Sequence, residues 1–335
     1  MLVDRFGRTA TDLRVSVTDK CDLRCTYCMP AEGLPWLPRA EVLTDDELVR
    51  LVRIAVERLG VREVRLTGGE PLIRPGLPGL VARLAALEPR PRLSLTTNGV
   101  ALARLAEPLA QAGLDRVNVS LDTLDPELFR TLTRRDRHAR VISGIDAARA
   151  AGLVPVKINT VLMRGINEHE APELLRWALE RGCELRFIEQ MPLDAQHGWD
   201  REKMVTAEEI LEQLSSEFAL EPEGQAVRGT APAETWRVLG HRGHDGGPAR
   251  VGVIASVTRP FCGDCDRVRL TADGQVRTCL FAREESDLRG PLRDGMGDAE
   301  LAERWRIAFL GKKKGAGIGE PDFVQPSRPM SAIGG

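Results

Sequence analysis

From residue 12 to about residue 191 one pattern recurs: a short run of alternating apolar and polar residues, then a longer stretch with helical spacing. The short runs are LRVSV (13–17), EVRLT (63–67), RLSLT (92–96), RVNVSL (116–121), PVKINTV (155–161) and LRFIE (185–189). Helical spacing follows at 44–59, 75–87, 101–112, 138–151 and 168–182, with a shorter stretch near 125–132. Thr44 with Glu47 three residues on has the form of a capping box, and Gly60, Gly113 and Gly152 stand where helices would end. Strands alternating with helices pair in parallel, so an α/β sheet or barrel is predicted.

Parallel strands under helical cover normally read as unbroken apolar runs. These carry a polar face instead: Arg14, Ser16 and Thr18; Arg65 and Thr67; Ser94 and Thr96; Asn118, Ser120 and Asp122; Lys157 and Asn159. Successive side chains point to opposite faces, and the helices need the apolar one, so the polar set points away from them. An open sheet with one wetted face would also satisfy this. The preferred architecture is an incomplete (β/α)6 TIM-type barrel with a hydrophilic lumen and a C-terminal extension closing the open side. The expected division is 1–192, the partial barrel, and 193–335, a C-terminal region. In that region 236–240 and 250–257 read as strands, and 267–280 as a hairpin turning at Asp273–Gly274. The loops after the barrel strands, namely Cys21–Cys28, TGGEP (67–71), TTNG (96–99), SLD (120–122) and EQMP (189–192), should gather at one mouth.

The composition changes this picture little. A chain of 335 residues with 42% apolar content and a net charge of −2 has ample material for a core. No apolar run reaches the ~18 residues of a membrane span, and the N-terminus lacks a signal-peptide core, so a cytoplasmic protein without a membrane partner is expected. Basic residues comprise six lysines and forty-one arginines. So general a bias discounts scattered arginines as a nucleic-acid signal, and 4% aromatic content leaves few stacking platforms for RNA.

The cysteines are informative. Seven is an odd number, and six of them sit in two groups, which favours metal ligation in a reducing compartment over disulfides. Cys21, Cys25 and Cys28 form C-x3-C-x2-C with no fourth donor before Glu32. Both a structural zinc and a fully protein-ligated iron–sulfur cluster want four ligands, whereas an empty position marks a catalytic metal. Zinc with a distant ligand, an electron-transfer cluster and a cluster with one free iron all remain open. Cys262, Cys265 and Cys279 read first as a zinc knuckle, with His241 or His244 as its only plausible completion. The run GKKKG (311–315) reads as a solvated charge cluster, and Cys183 as a small buried thiol.

A C-x3-C-x2-C loop after the first strand, with Tyr27 before its last cysteine and GGEP after the second strand, resembles the radical S-adenosylmethionine (SAM) enzymes. The second triplet, Arg267-Val268-Arg269 just beyond it, and the terminal Gly334-Gly335 extend the resemblance over nearly the whole chain to the MoaA family, the GTP 3′,8-cyclases of molybdenum cofactor biosynthesis. That resemblance implies two [4Fe–4S] clusters, one on Cys21, Cys25 and Cys28 with SAM as the missing ligand, the other on Cys262, Cys265 and Cys279. It implies SAM contacts at Tyr27, Gly69, Ser120 and Met191, and GTP contacts at Arg14, Arg65, Thr96, Lys157, Arg267, Val268 and Arg269. Arg267, Arg269, Gly334 and Gly335 would serve catalysis. The implied lyase converts GTP to 3′,8-cyclo-7,8-dihydroguanosine 5′-triphosphate, with an electron donor of flavodoxin or ferredoxin type and a MoaC-like cyclic pyranopterin monophosphate synthase downstream. A homodimer is among the assemblies it allows. Independently of the family, Arg14, Arg65 and Lys157 are lumen cations of the kind a triphosphate needs. Two rivals stand beside this reading: a radical SAM peptide-modifying enzyme with an auxiliary cluster, which would normally carry more C-terminal cysteines, and a non-catalytic zinc or Fe–S RNA-binding protein.

Overall fold

The computed structural model describes residues 1–320 and 322–334. Its first half runs β1 (Asp12–Ser16), α1 (Asp45–Leu59), β2 (Glu63–Thr67), α2 (Leu77–Ala85), β3 (Arg92–Thr97), α3 (Leu102–Gln111), β4 (Arg116–Ser120), α4 (Pro126–Thr133), α5 (His138–Ala150), β5 (Lys157–Val161), α6 (Ala171–Glu180) and β6 (Glu184–Ile188). The second half adds α7 (Ala207–Ser215), β7 (Leu220–Pro222), α8 (Gln225–Arg228), β8 (Glu234–Arg242), β9 (Pro248–Ile254), β10 (Arg267–Leu270), β11 (Gln275–Arg277) and β12 (Ser286–Asp287). Helices α9 (Arg289–Arg293), α10 (Asp298–Leu310) and α11 (Met330–Ile333) complete it. Among the described residues no helix is long and apolar enough to cross a membrane.

The predicted capping box starts α1: Thr44 Oγ1 accepts from the Glu47 N–H at 3.2 Å, and the Glu47 carboxylate accepts from the Thr44 N–H at 2.8 Å. The helix ends at Gly60, whose φ of 82° is left-handed. The apolar strand faces, for example Leu13, Val64, Leu93, Val117, Ile158 and Leu185, are buried under the helices in one continuous core. Their polar neighbours turn inward, as the alternation requires.

Strands β1 to β6 pair in parallel in chain order. The sheet does not stop there. β9 joins β6 in parallel and β10 joins β1 in parallel, so the parallel set is eight strands wide, with β8–β7 and β11–β12 as antiparallel margins. The hydrogen-bond ladder does not close, since β12 and β7 are its edges. The open side is bridged by chain instead. Residues 255–266 run from the end of β9 to the start of β10, carrying Cys262 and Cys265 with them. Segment 225–231 braces the crossing, where Arg267 Nη2 donates to the Thr230 carbonyl at 2.8 Å and Thr230 Oγ1 to Asp266 at 3.1 Å.

One contact makes the helical ring sensitive to a single methyl group. A Cβ on Gly144 of α5 would lie 2.5 Å from the Gly99 carbonyl oxygen and 3.0 Å from Leu102 Cβ. Backbone cannot yield cheaply there, so Gly144→Ala is expected to cost ~1–3 kcal/mol. A thermal midpoint equal to that of the unaltered protein would refute this close packing.

Candidate active site

The β-strand ends hold one another by a chain of buried polar contacts. After β2, Glu70 accepts from the Leu72 N–H (2.9 Å), Thr97 Oγ1 (2.6 Å) and the Asn98 N–H (2.6 Å), tying the second loop to the third. Asn98 Nδ2 donates in turn to Asp22 in the cysteine loop at 2.7 Å. After β4, Asp122 accepts from Tyr27 Oη at 2.7 Å and from the Val161 N–H at 2.9 Å. Burial pushes Glu70 up to about 7 and Asp122 up to about 6, against the hydrogen bonds that favour their ionised forms.

The glycines of the TGGEP turn have a specific job. A Cβ on Gly68 would sit 2.2 Å from the Thr18 carbonyl oxygen, and one on Gly69 2.2 Å from that of Lys20. Gly68 also has φ near +143°. The turn packs backbone to backbone on residues 18–20, with Gly69 N–H donating to Thr18 O at 2.9 Å and Glu70 N–H to Lys20 O at 2.7 Å. These glycines therefore serve first to seat the start of the cysteine loop.

That loop curls on itself, the Cys28 and Met29 N–H groups both donating to the Cys25 carbonyl at 3.0 Å. Cys21, Cys25 and Cys28 line one end of a cavity of about 310 Å³. Burial raises all three thiols, Cys21 to about 12 and Cys28 to about 11. Such thiols ionise only for a partner that takes up their charge, as iron does. Among the described residues no Cys, His, Asp and Glu converge on a single-ion site. A cube holds its thiolates on separate corners, and three thiols on one loop would suit such a cluster with one corner left for another ligand.

The other end of the cavity is cationic. Parallel register sets Arg269, Arg14 and Arg65 side by side on β10, β1 and β2. Arg267 and Arg186 line the same cavity. Among the described residues Arg14 has one acceptor, Asp12 at 3.2 Å, while Arg65 Nε donates to Ser94 Oγ at 3.2 Å. Among the described residues Nε of Arg14 and of Arg267 and the side-chain oxygens of Asn118 and Asn159 have no hydrogen-bond partner, although Arg267 Nε lies 3.8 Å from the Asp12 carboxylate. Burial, then the neighbouring cations, pushes Arg65 down and Arg186 down to about 10. Burial would raise Asp12, but Arg14, Arg65 and Arg267 outweigh it and hold that carboxyl down. Guanidinium keeps its proton, and Asp12 and Glu184, the latter 3.9 Å from Arg186, are two carboxylates set against five cations, an arrangement suited to an anion.

Most of the residues named from the sequence meet here. Tyr27, Gly69, Ser120, Met191, Arg14, Arg65, Thr96, Arg267 and Arg269 all line the cavity. Two stand apart. Lys157 Nζ pairs with Glu184 at 2.8 Å, below the cavity, because the parallel register brings Glu184 opposite it. Val268 alternates outward into the apolar core, leaving only its backbone near the lumen. The tail enters: Ser16 Oγ donates to the Ile333 carbonyl at 3.0 Å, and Arg269 donates to the Gly334 carbonyl. Gly335 lies outside the described residues. Arg186 was missed, though its place between Glu184 and Ile188 repeats the alternation that revealed the other lumen residues. Cys262, Cys265 and Cys279 gather next to Arg267 and Arg269, near enough for the thiols to raise Cys262 after burial has done so first.

The run GKKKG is not uniformly solvated. Lys313 and Lys314 are exposed, but Lys312 is 2% exposed. Its ammonium turns back under the chain to Cys265, where buried carbonyls and sulfur replace its water.

Comparison with known proteins agrees with this geometry. Residues 15–178 match the Radical SAM superfamily and residues 183–318 match Molybdenum Cofactor Synthesis C. The fold is shared with Streptococcus suis SuiB bound to S-adenosylmethionine, at a TM-score of 0.63 and 15% identity over 97% of this chain and 78% of that one. An unclosed parallel α/β barrel with a cysteine triplet at its mouth is the radical SAM arrangement, which uses a [4Fe–4S] cluster and SAM. Along its full length the chain is 67% identical to the GTP 3′,8-cyclase of Streptomyces coelicolor, covering 96% of it. It is 58% identical to that of Mycolicibacterium smegmatis, covering 92%. The chain belongs to the GTP 3′,8-cyclase family.

Proposed function

We infer that this chain is a radical SAM GTP 3′,8-cyclase, which makes 3′,8-cyclo-7,8-dihydroguanosine 5′-triphosphate in the first step of molybdopterin formation. The observation that carries this is one cavity with three cysteines at one end and five inward arginines at the other. Cys21, Cys25 and Cys28 would hold the SAM cluster, with Tyr27, Gly69, Ser120 and Met191 around SAM. When bound, the cluster and SAM would supply a 5′-deoxyadenosyl radical able to take the ribose C3′ hydrogen atom of GTP, and the C3′–C8 bond that then forms would leave one unpaired electron on the guanine ring, quenched by one electron from the reductant and one proton. The chain's own part is orientation. Arg14, Arg65 and Arg186 offer forked donors to phosphate oxygens, with Thr96 beside them. Lys157, already paired, would add long-range charge to that set. Arg267 and Arg269 would link this cluster to the second triplet, and the 330–334 tail, which lines the lumen, would limit the entry of water.

Cys262, Cys265 and Cys279 would hold a second [4Fe–4S] cluster whose open iron faces guanine. Their place beside Arg267 and Arg269 supports this. The division into a barrel, 1–192, and a region carrying the second cluster, 193–335, rests on the same reading. A thiolate-held cluster needs a reducing compartment, hence cytoplasm, and a small flavodoxin- or ferredoxin-type protein would supply the electron. The product would pass to a MoaC-like cyclic pyranopterin monophosphate synthase. Exposed Val3 and Phe6, tied through Arg5 to the Leu310 carbonyl at 3.2 Å, offer apolar surface to a second copy.

Anaerobic incubation with SAM, dithionite and each nucleoside triphosphate tests the activity. Stoichiometric 5′-deoxyadenosine and a cyclised nucleotide are expected with GTP alone. Equal cleavage with ATP, or none with GTP, would overturn the assignment.

A further inference from the structure

Lys312 lies two residues beyond the end of α10, and all three of its ammonium donors find acceptors. Nζ lies 2.9 Å from the Cys265 carbonyl, 2.8 Å from the Arg267 carbonyl and 3.4 Å from Cys265 Sγ. The ammonium also rests 5.0 Å from the centre of the Phe309 ring. Among the described residues no carboxylate pairs with it. A buried ammonium without an anion is costly, and the one anion this geometry offers is the Cys265 thiolate. Arg267 Nη1 approaches the same sulfur at 3.8 Å, so two cations converge on one ligand atom.

The backbone that presents Lys312 is clamped from outside. Arg8, held by Asp4 at 2.6 Å, donates to the carbonyls of Cys262 (2.6 Å), Lys313 (2.6 Å) and Lys314 (3.0 Å). One guanidinium thus fastens the 312–314 segment to the loop carrying the second cysteine pair. A solvated charge run would need no such fixture.

We propose that Lys312 is a positioning residue for the second iron–sulfur cluster: it fixes Cys265 and the first residue of β10, and its charge makes that cluster easier to reduce. This rests on the reading that Cys262, Cys265 and Cys279 hold a cluster. Reduction adds one negative charge to the cluster, and a cation in hydrogen-bond contact with a ligand sulfur stabilises the reduced form more than the oxidised one. The Arg267 carbonyl bond ties the same ammonium to the strand start that aims Arg267 into the lumen, so Lys312 acts through its neighbours and touches no substrate.

The test uses the full chain with Cys21, Cys25 and Cys28 changed to alanine, so that any remaining signal belongs to the second triplet. After anaerobic reconstitution it should hold about four iron atoms. An electron paramagnetic resonance titration with dithionite then gives the midpoint potential. Lys312→Met, similar in length but uncharged, is expected to shift the one-electron equilibrium at least tenfold against reduction, a drop of ~59 mV. Lys312→Arg should stay near the parent value. If the methionine variant loads little iron while the arginine variant loads fully, occupancy reports the same dependence on charge. A methionine variant with the parent's potential and iron content overturns the proposal, as does an arginine variant that behaves like methionine. A parent chain that takes up no iron overturns the second-cluster reading itself.

Discussion

Changing Cys25 to alanine is expected to bring SAM cleavage down to the level of a protein-free solution and to cut iron from about eight to about four atoms per chain. Among the described residues no fourth cysteine or histidine joins the first triplet in a metal-holding group. The loop supplies three sulfurs, and the side chains that surround it, Asp22, Tyr27 and Asp122, are engaged in hydrogen bonds that shape the loop. Removing one sulfur leaves a cluster with two protein anchors and a buried, apolar gap where the third stood. Among the described residues Arg14, Arg65 and Arg269 bond to Asp12, Ser94 and Gly334 and not to Cys25, so the variant should still bind GTP with near-parent affinity. Retention of eight iron atoms would mean that another side chain completes the site, and the open-corner account would fail.

Gly334→Ala is expected to lower cyclisation about 100-fold while leaving iron content and thermal midpoint close to those of the parent. A Cβ there would meet Ser16 Oγ at 2.4 Å and Thr67 Cγ2 at 2.7 Å, and φ at Gly334 is +84°. Both the space and the backbone conformation exclude a side chain. The tail would have to withdraw, losing the Ile333 carbonyl from Ser16 and the Gly334 carbonyl from Arg269. Freed of that acceptor, Arg269 loses its orientation toward the lumen, and water enters the space the tail occupied. The core is untouched, so stability should hold. Rates of cyclisation equal to the parent's would show that the tail is a bystander.

The difference between these two sites shows where sequence reasoning reaches. Gly69 and Gly334 are both glycines in quoted motifs, yet the reasons for them emerge only from what lies opposite: the carbonyls of Asp19 and Lys20 for Gly69, Ser16 and Thr67 for the tail. The spacing of residues does not say which backbone will approach. Lys157 illustrates the opposite failure. Its strand position and inward face were legible, but its register partner was not, and Glu184 takes its charge.

What the sequence determined by itself is whatever depends on periodicity and near neighbours. The two-residue alternation assigned one polar and one apolar face to each strand, the Thr44–Glu47 box began α1 where expected, and C-x3-C-x2-C set three cysteines on one loop with no fourth donor close in sequence. Tertiary structure decided everything that needs distant segments to meet. It brought β10 beside β1, so that Arg269 stands next to Arg14 across more than two hundred residues of chain, and it turned Lys312 out of an apparently solvated run onto Cys265. The reason is physical: a residue's own element sets which way its side chain faces, but only the packing of the whole chain sets what it faces.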